Sequence, residues 1–144
     1  MHKTILAIAF INVAFLTSQA FSANLTVNID NITSNQGHIE CALFDENHAK
    51  AFPTKPKQAI LTQRQIVSQK NLICQFDGLN AGTYALSVYH DVNDSGDIDT
   101  NFIGIPNEPM GATNNPKGFF GPPSFSDAAI KLDKNQIVTV TLTD

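Results

Sequence analysis

Leu25, Val27 and Ile29 alternate with Thr26 and Asn28, and this two-residue period recurs along the chain where a sustained 3.6-residue period does not. Alternation puts apolar side chains on one face of an extended segment, so the chain must bury the inner faces of strands rather than the stripes of helices. Leu25–Ile29 reads as a first strand, followed by a turn at Ser34–Gly37 and a second strand over His38–Phe44. Residues 45–59 carry Pro53 and Pro56 and read as a loop. Ile60–Val67 and Leu72–Phe76 read as strands about a hairpin turn at Ser68–Asn71, and Thr83–His90 as a fifth strand after the turn Asp77–Gly82. Ala129–Leu132 and Ile137–Leu142 complete a last hairpin across Asp133–Gln136. Short strands at this spacing predict an all-β fold, an antiparallel seven-stranded Greek-key β-sandwich of immunoglobulin or transthyretin type, with a small closed barrel as the competing architecture.

The first twenty residues have a different character. Lys3 precedes a run from Ile5 to Leu16 that is apolar except for Asn12, and Ser18 and Ala20 then supply a small-x-small pattern. The run is too short to span a bilayer and reads as a secretory signal cleaved after Ala20, with Ala23 as second choice. A buried N-terminal strand or helix is the alternative. Residues 21–144 are then one domain, expected in the periplasm or outside the cell. No cysteine follows the cut to carry a lipid, and no second apolar run could serve as a transmembrane anchor. The formal charge of −4 and the lack of a basic patch exclude nucleic acid as a natural partner.

Cys41 shares a strand face with Ile39 and Leu43, and Cys74 with Leu72 and Phe76. Both sulfurs point to the core, and in an oxidising compartment two such thiols are expected to pair. Two buried free thiols are the alternative. Tyr84 stands two residues after Gly82 at the start of a strand, the pattern of a tyrosine corner whose hydroxyl bonds back to the preceding turn. The cysteine of an antibody domain would follow two residues later, where this chain has Leu86.

Residues 91–128 are rich in Gly, Pro and Asn and show no sustained strand or helix pattern. A loop of this length is usually functional or disordered. Phe102, Ile103, Ile105, Met110, Phe119, Phe120 and Phe125 read as apolar anchors that order it. It opens with Asp91-Val92-Asn93-Asp94-Ser95-Gly96-Asp97-Ile98-Asp99, in which oxygen side chains fall at the first, third, fifth and ninth positions and glycine at the sixth. Asp91, Asn93, Ser95, Asp97 (through its carbonyl) and Asp99 fit the first nine positions of a Ca2+ loop, with Gly96 at the sharp turn. The match ends at Phe102, where an EF-hand places Glu, and the loop leaves a strand rather than a helix. Glu108 is the nearest residue able to complete the shell. The alternative is a metal-free turn in which Asp and Asn side chains bond their own backbone.

His90 directly precedes this loop, but strand geometry turns His90 and Asp91 to opposite faces, so His90 reads as a brace. An exported, non-catalytic binding or structural module is therefore expected, with a protein or cell-envelope component as partner. A metal-dependent hydrolase using the acidic loop with His90 and Glu108 is the alternative. A sugar-binding module is weaker, because Trp is absent and Tyr occurs twice.

Several spaced motifs occur together. They are Tyr89-His90-Asp91 with Asn93, Gly96, Asp99 and Asn101, then Gly104-Ile105-Pro106 and Glu108, Asn114-Asn115, and Phe120-Gly121-Pro122-Pro123-Ser124-Phe125. With Gly37–Phe44, Cys74–Phe76 and the Gly-x-Tyr turn, this order resembles an exported bacterial family, domain-of-unknown-function family 2141. The resemblance covers essentially residues 21–144. It implies a small extracytoplasmic sandwich-like domain and no assigned activity. The chain departs from the pattern at Ser95 (Asn in the family), at Gly111-Ala112-Thr113 (Gly-Phe-Ser), and where Pro109-Met110 interrupts Glu-Gly.

Overall fold

The computed structural model describes residues 21–117 and 121–144. The expected signal segment, residues 1–20, and Gly118, Phe119 and Phe120 lie outside the described residues.

The described residues form eight strands: β1 (Ser22–Asp30), β2 (His38–Asp45), β3 (Leu61–Ile66), β4 (Leu72–Asn80), β5 (Gly82–Asp91), β6 (Met110–Ala112), β7 (Ile130–Leu132) and β8 (Gln136–Thr141). A single helical turn, α1 (Phe125–Ala128), precedes β7. One sheet has the order β4-β1-β8 and the other β3-β2-β5-β6, with β7 also on β5. Strand β6 pairs with Ser87–Tyr89 and β7 with Gly82–Tyr84, so the two share one edge of β5 end to end.

The alternation in β1 survives intact, since Ala23, Leu25, Val27 and Ile29 are buried while the residues between them are not. They meet Ile39, Leu43, Leu86, Val88, Leu132 and Val140 in the core between the sheets. Cys41 on β2 and Cys74 on β4 are disulfide-bonded and wholly buried, so the bridge joins the two sheets through that core. Strand β5 is buried on both faces. The outer face of its sheet is covered by a second cluster of Ala42, Phe44, Phe52, Ala85, Ala112 and Ala128. Phe52 makes edge-to-face contacts with Phe44 at 5.5 Å and Phe125 at 6.1 Å, a favoured ring geometry.

Four expectations from the sequence require correction. The fold is not wholly antiparallel, because β8 runs parallel to β1. Strands β7 and β8 do not form a hairpin. β7 keeps Leu132 in the core while pairing with β5, and the chain then crosses to the other sheet, where Asn135 Oδ1 accepts the Asn24 amide at 2.9 Å. Strands β3 and β4 likewise belong to different sheets. Finally, residues 91–128 contain the three-residue strand β6, which makes eight strands among the described residues where seven are expected, and the turn α1, which a capping box of Ser124 and Asp127 holds. Both are shorter than any pattern that periodicity can reveal.

Both open edges of the sandwich are stitched. On one side the Gln63 amide receives the Gln75 N–H and donates to the Gln75 carbonyl, while Gln65 donates to the Ile73 carbonyl at 2.6 Å. Side-chain amides thus stand in for a backbone ladder between β3 and β4. On the other side Met110 and Thr143 exchange two backbone hydrogen bonds at 2.9 and 2.8 Å. A Cβ on Gly111 would lie 2.6 Å from a Val140 methyl and 2.7 Å from the Thr141 carbonyl, so this approach admits only glycine.

Candidate functional site

Asp91 ends β5 and emerges, fully buried, on the outer face of its sheet beside the turn at Gly37. A Cβ on Gly37 would lie 1.9 Å from the Asp91 carbonyl, and Gly37 itself has φ +73°. The Asp91 carboxylate accepts the amides of Ser95 and Gly96, each at 2.8 Å. That bonding bends the chain back, with Asp94 and Gly96 both at positive φ. Asn93 Oδ1 also accepts the Ser95 amide at 3.2 Å, and its Nδ2 donates to Asp99 at 2.5 Å. Ser95 Oγ donates to the Asp97 carbonyl at 3.0 Å.

Glu108 closes the structure from the far side. One of its oxygens accepts the Val92 amide and the other the Asp99 amide, both at 3.2 Å. Burial pushes the Glu108 carboxyl above its ordinary range, and the Asp91 charge adds to that; the two amides pull against it without prevailing.

Asp99 and Glu108 flank a short finger. Thr100 and Pro106 face each other in an antiparallel bridge. The Asn101 amide donates to the Ile105 carbonyl at 2.8 Å, and the Gly104 amide to the Asn101 carbonyl at 3.0 Å. Asn101 Oδ1 accepts the amides of Ile103 and Ile105, each at 3.0 Å. Four hydrogen bonds within the finger thus hold its turn, and the side chains at its tip point to solvent. Phe102 is 99% exposed, Ile103 64% and Ile105 54%. This overturns their expected role as anchors. Of the apolar residues in this segment, Ala112 and Phe125 belong to the second cluster instead.

Beside the acidic loop lies a charged collar centred on Arg64 of β3. Its guanidinium lies 2.9 Å from Glu40, 3.8 Å from Asp91 and in direct contact with Asp94, and it also meets His38 Nδ1 at 3.1 Å. Lys57 pairs with Asp97 at 2.7 Å. Burial raises the Glu40 carboxyl and outweighs the opposing pull of Arg64. Burial likewise raises the Tyr89 phenol far above its usual range, with Glu40 and Asp91 adding to it.

The loop thus brings together Asp91, Asn93, Ser95, Asp99 and Glu108, and turns Asp97 outward to Lys57. The inward oxygens of Asp91 and Glu108 face backbone N–H groups. Among the described residues, no group of three or more His, Cys, Asp or Glu side chains converges with metal-ligand spacing. His90 is fully buried on the face opposite Asp91, where its Nε2 lies 2.8 Å from the Gln36 carbonyl. A carbonyl only accepts, so Nε2 carries a proton there, and the buried Nδ1 has no partner among the described residues. A surface depression of about 720 Å³ at the β3–β4 turn, lined by Gln65, Gln69, Asn71, Leu72 and Ile73, includes neither His90 nor Glu108. Tyr84 donates its hydroxyl to the Asn80 carbonyl at 2.9 Å, across the turn into β5.

The elements that carry this site, from β2 through the acidic loop and finger to Glu108, lie within one family model, described as an uncharacterized protein conserved in bacteria (DUF2141), which matches residues 27–140. The chain belongs to DUF2141. The DUF2141 match takes in Cys41, Cys74, the acidic loop, the finger and Glu108. No curated protein and no solved structure matches the chain.

Reading the chain in order misses Arg64, Glu40, His38 and Lys57, which are remote from the DUF2141 loop in sequence. A signal for three of them existed in strand register. His38 lies opposite Asp91, and Glu40 opposite both Tyr89 and Arg64. All are outward positions in strands whose inner faces are apolar.

Proposed function

We propose that this chain is a non-catalytic binding module, working in the periplasm or outside the cell, that presents the finger 100–106 to a partner. The observation that carries this reading is Phe102, 99% exposed at the tip of a loop whose turn is held by Asn101 through the Ile103, Gly104 and Ile105 amides and the Ile105 carbonyl. A large apolar side chain held out on an ordered support is a binding anchor whose ordering cost is met before the partner arrives. The acidic loop serves as the brace. Of the two expectations for it, the geometry favours the self-bonded turn over the calcium loop, because the Asp91 and Glu108 oxygens are directed at N–H groups. His90 and Glu108 act as structural braces, since both are enclosed and engaged with backbone.

The test is a comparison of wild type with Phe102→Ser in the bacterium that makes the protein, reading its co-purification with envelope components after cross-linking. Loss of a specific cross-linked species at unchanged protein level and melting temperature supports the reading. An unchanged cross-linking pattern contradicts it.

A further inference from the structure

We infer that the finger is received by a protein partner, in an apolar pocket rimmed by lysine or arginine. This rests on the binding-module reading and adds the chemistry of the partner. The tip is wholly apolar, and residues 100–107 carry no charge. The collar and acidic loop gather Glu40, Asp91, Asp94, Asp97, Asp99 and Glu108, against which stand Arg64 and Lys57. The side chains of Asp94 and Asp97, paired with Arg64 and Lys57, are 55% and 62% exposed, so the acidic side of the collar is open to solvent.

Charge decides between occupants. An apolar tip that enters an anionic lipid surface is accompanied by basic residues at headgroup level. Here the two cations of the collar, Arg64 and Lys57, are each paired with acids, and the chain from Asn71 to Pro116 adds no Lys or Arg. A second copy docking through the same end would bring two acidic collars together, a like-charge juxtaposition that opposes association. A basic rim around an apolar pocket satisfies both features, with the pocket taking Phe102 and the rim facing Asp94, Asp97 and Asp99. Complementary rim charge speeds encounter and makes binding salt-dependent, while the buried aromatic sets the lifetime of the complex.

The test is site-specific photo-cross-linking of the full-length protein in the bacterium that makes it, with a benzophenone side chain at position 102. The cross-linked peptide is identified, and binding of the purified pair is then measured. The expected result is one protein adduct whose attachment site lies in an apolar pocket flanked by Lys or Arg. Phe102→Ser should weaken the purified pair by about tenfold or more. Asp97→Lys, at an exposed position, should weaken it severalfold, and added salt should weaken wild type. If Phe102→Ser leaves binding unchanged, the binding-module reading fails. If Phe102 is required but Asp97→Lys and salt have no effect, only the basic rim fails. An adduct to phospholipid, supported by sedimentation with phosphatidylethanolamine–phosphatidylglycerol vesicles, overturns the inference. So does an adduct to a second copy, or the absence of any adduct above that of a probe at Thr26 on the far sheet.

Discussion

Glu108 accepts the amide of Asp99 at 3.2 Å, so an acid two residues beyond the finger holds the residue that precedes it. The finger is clamped at its root by this contact and by the Asn107 amide on the Asp99 carbonyl at 2.8 Å. Stability and presentation therefore reside in different residues of one loop. Asp91→Ala should cost about 1.5–3 kcal/mol, the range for hydrogen bonds to a charged group. Phe102→Ser should stay within about 0.5 kcal/mol of wild type, as surface substitutions do. Urea denaturation of the two variants checks both values.

The disulfide ties β2 to β4 across the core, with a sequence separation of 33. Replacing both cysteines by alanine should lower stability by about 3–4 kcal/mol on the loop-entropy model. Guanidinium denaturation of the oxidised wild type against the double variant measures it. A loss below about 1 kcal/mol, less than any loop of this size implies, would contradict the bridge's role.

Gly111→Ala tests the stitched edge at Met110 and Thr143. The added methyl meets backbone at 2.7 Å, and backbone cannot move aside as a flexible side chain can. A loss of about 1–3 kcal/mol is expected from overpacking. Faster amide exchange at Met110 and Thr143, with β1 unaffected, would localise the effect.

Glu40 has a carboxyl raised by burial above the 4.5 of a free glutamate. The folded state therefore binds this proton more tightly than the unfolded state. Its contribution to stability is fully present below the unfolded value and declines as pH rises through the folded one. Glu40→Gln fixes the neutral form. The stability of wild type relative to this variant should fall as pH increases from below 4.5 toward neutrality, measured by urea denaturation at several pH values. A rise over that interval would contradict the burial argument.

The parts of the fold legible in the sequence are those with a period. Leu25-Val27-Ile29 declares both its strand and its inner face, and the shared faces of Cys41 and Cys74 anticipate the bridge. Which strand pairs with which was not legible. The turns after β3 and β7 look like hairpin turns, yet each carries the chain to the other sheet, where long-range partners decide the pairing. In the site, the spacing from Asp91 to Asp99 marks the loop, while Glu108, expected as a ligand completing a calcium shell, accepts the Val92 and Asp99 amides. The exposure of Phe102 was not legible, because an aromatic residue in a glycine-rich segment ordinarily signals burial. Here Asn101 holds the turn through the Ile103 and Ile105 amides, so the loop is ordered without a core contact from Phe102.

The most direct measurement is amide hydrogen exchange across residues 91–108 of the oxidised protein with a chelator present, for wild type and for Asp91→Ala. A self-braced loop should protect Ser95, Gly96, Asp99, Ile103 and Ile105 in the chelated wild type, and the variant should lose that protection first at Ser95 and Gly96. Unprotected exchange at these amides until calcium is added would contradict the self-braced loop and return the segment to a metal site.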